Sequence, residues 1–325
     1  MQDLKICAPL SRTDETLPLI EAGAGEIYTG LLPPGWNREY GLVCSPTRRY
    51  GRSAHLARLE ELERVTRDAH SRSVAVFLAQ NERYSAEQEP EVIKLVKGAE
   101  AVGIDAVILG DVAFLLALKR AGLKTRLIMG TGGNIFNPSS ARFFMDAGVS
   151  RVIVPRHIRI PEIRNLRRNL PDLELESFIF RGLCPYIDGM CRFQHGINQV
   201  LGREPLEDIA CGLDFHVEML KGYDCSRKLK KELGERYSRR QSFTGCGLCA
   251  LYDLADAGIG SFKVVGREMP SREKIEGVET VKKIIDLLKT GISKKEFMKA
   301  CHDAYIEFYE ERCTRKACYY PELWY

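Results

Sequence analysis

The chain has 325 residues, 45% hydrophobic and 28% charged, with 48 Lys plus Arg against 44 Asp plus Glu for a net charge of +4. This composition excludes a disordered chain, and no run of about 18 apolar residues is present to form a membrane-spanning helix. The opening Met1-Gln2-Asp3-Leu4-Lys5 is charged where a signal peptide needs an apolar stretch, so a cytoplasmic protein without a membrane partner is expected.

Short Val- and Ile-rich runs near 4–9, 26–30, 74–79, 106–110, 125–130, 151–155, 174–180 and 261–266 read as strands buried on both faces, the pattern of a parallel sheet. Amphipathic stretches His55 to Ser71, Glu89 to Val102, Val112 to Ala121, Ser139 to Ala147 and Pro161 to Leu170 read as helices between them. An apolar residue plus glycine closes unit after unit: Ala22-Gly23, Val102-Gly103, Ala121-Gly122, Ala147-Gly148 and Ala257-Gly258. Glycine adopts the left-handed backbone that ends a helix at little cost. Eight strand–helix units predict an α/β fold, a (β/α)8 TIM-like barrel as a single domain over 1–325. An open doubly wound sheet has the same periodicity and stays the alternative. Two segments are surplus: a cysteine-rich insertion after strand seven, 184–245, and a C-terminal helical extension, 271–325.

Barrel active sites lie at the C-terminal ends of the strands. The residues there include Cys44, Asn81-Glu82-Arg83, Asp111, Thr131 to Asn134, Arg156-His157, Arg181 to Cys184 and Arg267-Glu268. That rim is polar, arginine-rich and cysteine-bearing, although polar strand ends are common to all barrels.

Eleven cysteines in a cytoplasmic chain suggest metal or redox chemistry rather than disulfides; some are also expected as small buried hydrophobes. Cys184, Cys191, Cys211, Cys225 and the pair Cys246 and Cys249 form the dense region. Four thiolates hold either zinc or an iron–sulfur cluster. Only one close Cys-x-x-Cys pair is present, and the wide Cys184–Cys191 gap fits a cluster better than a zinc ribbon. Zinc-peptidase, nucleophile-elbow and Walker signatures are absent, as is the three-cysteine radical signature. Gly245-Cys246-Gly247-Leu248-Cys249-Ala250 formally matches a dinucleotide fingerprint, but no strand precedes it.

The run Leu175-Glu176-Ser177-Phe178-Ile179-Phe180-Arg181-Gly182-Leu183-Cys184, followed by Asp188-Gly189-Met190-Cys191, resembles the signature of the collagenase-like peptidase family, family 32 of the peptidases of unassigned mechanism. Ala22 to Gly30, Asn134 to Asn137, Ala147 to Arg156 and Ala257 to Arg267 resemble further segments of that family, in family order. The resemblance implies a barrel carrying a [4Fe-4S] cluster on Cys184, Cys191, Cys211 and Cys246, with Cys249 and Cys44 as rival ligands. It also implies kinship with oxygen-independent hydroxylases that act on quinone precursors or on bases in ribosomal and transfer RNA, with prephenate as hydroxyl source. Asn134, Arg156 and Arg267 would bind a small anionic or aromatic substrate near the cluster. Phe180 and Arg181 stand where the family has His and Gly, and Val265 where it has Glu, which points toward an altered substrate or lost catalysis.

Two basic stretches bear on RNA. Lys221 to Gln241 holds eight Lys or Arg against three acids, and Arg151 to Arg168 holds six Arg against one. They make either a phosphate-tracking patch or solvated helix faces. The function readings left open are a cluster-dependent hydroxylase of a small molecule or an RNA base, a non-catalytic cluster subunit docking a protein partner, and a peptidase.

Overall fold

A computed structural model of the chain describes residues 4–40, 45–49, 52–182, 188–190 and 245–323. Eight parallel strands, β1 (Lys5–Pro9), β2 (Glu26–Thr29), β3 (Ala75–Gln80), β4 (Ala106–Leu109), β5 (Arg126–Met129), β6 (Val149–Ile153), β7 (Glu174–Phe180) and β8 (Ser261–Val264), close into one barrel in chain order. Closure comes from β1 pairing with both β2 and β8, in register Cys7 to Glu26 and Cys7 to Lys263. The closed ring excludes the open-sheet alternative.

Around the barrel run α1 (Thr16–Glu21), α2 (Trp36–Tyr40), α3 (Leu59–His70), α4 (Glu89–Ala101), α5 (Val112–Arg120), α6 (Pro138–Asp146), α7 (Ile160–Asn169), α8 (Leu251–Asp256), α9 (Ser271–Lys289) and α10 (Lys294–Tyr309). The helices start on polar caps where the sequence offers them. Asp111 accepts the Phe114 N–H at 3.0 Å and Asn137 the Ser140 N–H at 2.9 Å. They end as the recurring glycine implies: Gly23, Gly103, Gly122, Gly148 and Gly258 all sit at positive φ.

Two boundaries differ from the sequence expectation, each for a local reason. The helix expected from His55 begins at Leu59, because Leu56 is drawn into a bridge with Leu31. β6 begins at Val149 rather than 151, because an irregularity opposite Leu127 and Ile128 brings Val149 into register. The C-terminal extension is also shorter than expected. α9 packs on β1, β7 and β8 as the eighth barrel helix. What is added to the barrel is α10, which packs along α9, and the tail beyond it.

The strands separate two cores. Their outward side chains meet the helices in one continuous apolar layer. Inside the barrel, Cys7, Tyr28, Phe77, Ile108, Ile128 and Ile153 pack in layers. Toward the N-terminal ends of the strands the lumen is ionic. Arg151 donates to both oxygens of Glu26 at 2.7 and 2.8 Å and to Glu176 at 3.2 Å, and Ser261 adds a hydroxyl bond to Glu26 at 2.7 Å. Lys263 reaches Glu176 at 2.8 Å and the Cys7 sulfur at 3.3 Å. Burial alone would raise the Glu26 carboxyl, but the Arg151 bonds and charge more than reverse it and hold it below its ordinary value. Cys7, Glu26 and Glu176 place donor atoms within 4.8 Å of one another, as a metal site would. The two cations already seated among them satisfy the carboxylates and repel a metal ion.

Candidate functional site

The mouth of the barrel carries two groups of polar side chains at the C-terminal strand ends. The first lies where β8, β2 and the loop through residues 45–49 meet. Arg267, just past β8, is 3% exposed. Its guanidinium lies over the Tyr28 ring at 5.8 Å, and Nη2 donates to Thr47 Oγ1 at 3.2 Å. Nη1 is buried with no partner among the described residues. Gly30 makes room for it, since a Cβ there would stand 2.0 Å from that nitrogen. Thr47 Oγ1 also pairs with His55 Nε2 at 2.5 Å. Arg49 binds Glu268 at 2.8 Å, and the Tyr84 hydroxyl links the Pro46 carbonyl at 2.6 Å to Gln80 Oε1 at 3.0 Å. The loop preceding β3 is thereby tied to the rim. Burial lowers the Arg267 guanidinium to about 10, which still leaves it charged at neutral pH. Burial likewise pushes the Tyr28 hydroxyl up to about 12, so it stays protonated as a donor.

The second group lies at the ends of β6 and β7. Arg156 grips Asp188 through Nε at 3.1 Å and Nη2 at 2.6 Å, and its own backbone N–H reaches the same carboxylate at 2.8 Å. Arg156 Nη1 also donates to the Gly182 carbonyl at 3.0 Å, which in turn accepts the Tyr319 hydroxyl at 3.1 Å. One arginine therefore draws together Gly182 and Asp188, the residues on either side of 183–187. These bonds give Arg156 a positioning role at the rim. Asn134 sits in the left-handed conformation at φ +54, its side chain exposed. Gly189 packs against it so closely that a Cβ would meet the Asn134 Cβ at 2.9 Å.

Of the expected cluster ligands, Cys184, Cys191 and Cys211 lie outside the described residues, as does the rival Cys44. Cys246 is 6% exposed beside the end of β7, bridged to Phe180 and to Cys318. Its sulfur accepts the Leu248 N–H at 3.4 Å. That amide, two residues ahead, is a donor a metal-bound thiolate can use. Burial pushes the unliganded Cys246 thiol well up.

Two of the departures from the family pattern face away from the lumen. A register shift between Phe178 and Phe180 turns Phe180 outward, where it packs edge-on against Phe308 of α10 at 4.8 Å and against Tyr309 at 5.4 Å. Arg181 binds the Glu273 carboxylate and its carbonyl, and lies over the Phe308 ring at 5.3 Å. Both residues seat the added helix.

Sequence reasoning missed the lumenal ion network and the support of the 45–49 loop. Glu26, Arg151, Glu176 and Lys263 were visible only as members of family-like runs or of a basic stretch, with nothing to bring them together.

A closed ring of eight parallel strands with flanking helices and a buried arginine at its mouth is, in class, a (β/α)8 TIM-barrel protein. The chain belongs to Peptidase family U32, whose sequence profile matches residues 12–320. It is similar to tRNA hydroxylation protein P of Escherichia coli, 24% identical over 175 residues covering 53% of this chain and 38% of that protein. It is also similar to tRNA hydroxylation protein P2 of Bacillus subtilis, 24% identical over 293 residues covering 85% and 83%. A protein named collagenase from Porphyromonas gingivalis is 23% identical over 82% of this chain and 62% of its own length. The chain thus spans well under half of the Escherichia coli relative but most of the Bacillus subtilis one. Among solved structures, that of the U32 peptidase Mk0906 aligns over 55% of this chain and 70% of its own, with 14% identity and a TM-score of 0.41. No helix of the described residues is long and apolar enough to cross a membrane.

Proposed function

We propose that the chain is an iron–sulfur-dependent, oxygen-independent hydroxylase that acts on an RNA base or a small aromatic ring, with a small carboxylate as hydroxyl source. The observation that carries this reading is Arg267. A guanidinium buried in the mouth with an unused donor is costly until an anion pairs with it, and a planar carboxylate suits its fork. An RNA base is the favoured acceptor because several relatives are named for tRNA hydroxylation. Cys184, Cys191, Cys211 and Cys246 would hold a [4Fe-4S] cluster. Two observations among the described residues support this reading: Arg156 gathers both flanks of the Cys184 segment, and Cys246 presents a sulfur that accepts an amide N–H. The bound cluster supplies one-electron chemistry. The chain's own residues bind and orient: Arg267 takes the carboxylate, Thr47 and Gly30 fix the guanidinium, and Tyr28 offers a protonated hydroxyl beneath it.

Among the described residues, the Thr47–His55 hydroxyl–imidazole pair is a structural counterpart to the peptidase reading. Those residues are 2% and 6% exposed, too enclosed to meet a peptide.

The test is Arg267→Ala assayed anaerobically with tRNA and prephenate. Loss of a charge-assisted pair, about 1.5–3 kcal/mol, predicts hydroxylation reduced about 10- to 100-fold with iron content unchanged. Wild-type hydroxylation in an iron-replete Arg267→Ala protein would overturn the assignment of the mouth.

A further inference from the structure

Beside Cys246, four more cysteines converge where the barrel meets the added helix and tail. Cys246, Cys249, Cys313 and Cys318, with His302, line one cavity between the turn at 245–250, α10 and the tail. Cys301, 1% exposed, lies on α10, which packs against the turn that carries Cys249. The tail is fixed there by backbone bonds. The Cys246 N–H donates to the Ala317 carbonyl, and the Tyr319 N–H to the Cys246 carbonyl, both at 2.9 Å. The Cys246 sulfur is met by the amide two residues ahead, that of Leu248. The rest of the lining is largely apolar, including Leu248, Met298, Tyr320 and Leu323, and it contains no carboxylate.

Cysteines used only as small hydrophobes are fully buried. Cys249, Cys313 and Cys318 are only partly buried, yet they share one cavity. A set of sulfurs with an imidazole and no carboxylate selects a soft metal over calcium or magnesium.

We propose that Cys249, Cys301, Cys313 and Cys318 hold a second, thiophilic metal centre, separate from the one on Cys184, Cys191, Cys211 and Cys246. Its existence does not depend on the hydroxylase reading. Adjacent cysteines of one motif serving two centres is a known arrangement in two-cluster ferredoxins. Among the described residues, no three of these donors lie within 4.8 Å of one another. Zinc–sulfur bonds of about 2.3 Å impose tetrahedral edges of roughly 3.8 Å, so the wider spread suits an iron–sulfur cluster better than a single zinc ion. In either form the metal staples the tail to the end of β7.

The test measures iron, zinc and acid-labile sulfide per folded chain after anaerobic purification, with far-UV circular dichroism reporting the fold. It compares the wild type, Cys184→Ala/Cys191→Ala and Cys313→Ser/Cys318→Ser. The proposal expects each double variant to lose one complement of metal and keep the other, sulfide loss marking a cluster and its retention marking zinc. Unchanged metal in folded Cys313→Ser/Cys318→Ser protein would overturn it. If that variant does not fold, the Cys184→Ala/Cys191→Ala protein decides: its remaining metal must show sulfur ligands by K-edge absorption, and absence of metal overturns the second centre. Full metal in Cys184→Ala/Cys191→Ala would instead remove the first centre and leave this one standing.

Discussion

Arg151 is the side chain on which the lumen depends most. It lies 6% exposed between Glu26, Glu174 and Glu176 and is bonded to all three. Exchanging a buried ion pair for apolar groups is often neutral, whereas removing one partner leaves an uncompensated charge. Arg151→Met is therefore expected to cost about 3–5 kcal/mol in urea unfolding at neutral pH, and Arg151→Met/Glu26→Gln to recover much of it. A single variant as stable as the wild type would show that the lumen does not rely on this cation. The pH dependence follows from the sign of the Glu26 shift. Its folded pKa lies below the unfolded value of 4.5. Its contribution is thus complete above that value and disappears as pH falls through the folded pKa. Without Arg151, burial alone would raise the Glu26 pKa, so the gap between variant and wild type should narrow in acid. None of this was legible in the sequence. A charge in a strand reads as an exposed position until closure turns alternate residues into a common interior.

At the scale of elements, the recurring apolar–glycine punctuation made the strand–helix order legible, because a helix end needing positive φ selects for glycine. The irregularities were not legible, since they arise from pairing between distant segments: the Leu31–Leu56 bridge and the slip at the end of β7. That slip changes the meaning of Phe180, which reads in sequence as a lost catalytic histidine. It is a fully buried anchor for α10, packed on Phe308 and Tyr309. Phe180→His, which restores the family residue, should lower stability by about 1–3 kcal/mol by placing a polar ring without partners in an aromatic cluster. On the proposed hydroxylase reading it should leave activity per folded molecule unchanged. Thermal unfolding and activity measured on the same preparation separate the two effects, and a rise in activity would return Phe180 to the site.

Across the whole molecule, the small net charge conceals how the arginines are used. Of the six between Arg151 and Arg168, Arg151 is lumenal and Arg156 is held by Asp188. Arg164 pairs with Asp256, and Arg167 donates to the carbonyls of Pro171, Leu173 and Gly258. Arg159 pairs with Glu162. Arg168 is exposed, but four of the six are paired with carboxylates within the fold, which makes this stretch a poor phosphate track. The basic run from Lys221 to Gln241, outside the described residues, is then the stronger candidate for contact with RNA. Each phosphate neutralised contributes about 0.7–0.9 to the slope of log affinity against log salt. If the chain acts on RNA as proposed, Lys230→Glu/Lys231→Glu should weaken tRNA binding and flatten that slope by between one and two, while Arg159→Glu/Arg164→Glu should leave the slope nearly unchanged. Titrations of tRNA binding at several salt concentrations read both numbers. If the second variant flattened the slope and the first did not, the RNA surface would belong to α7.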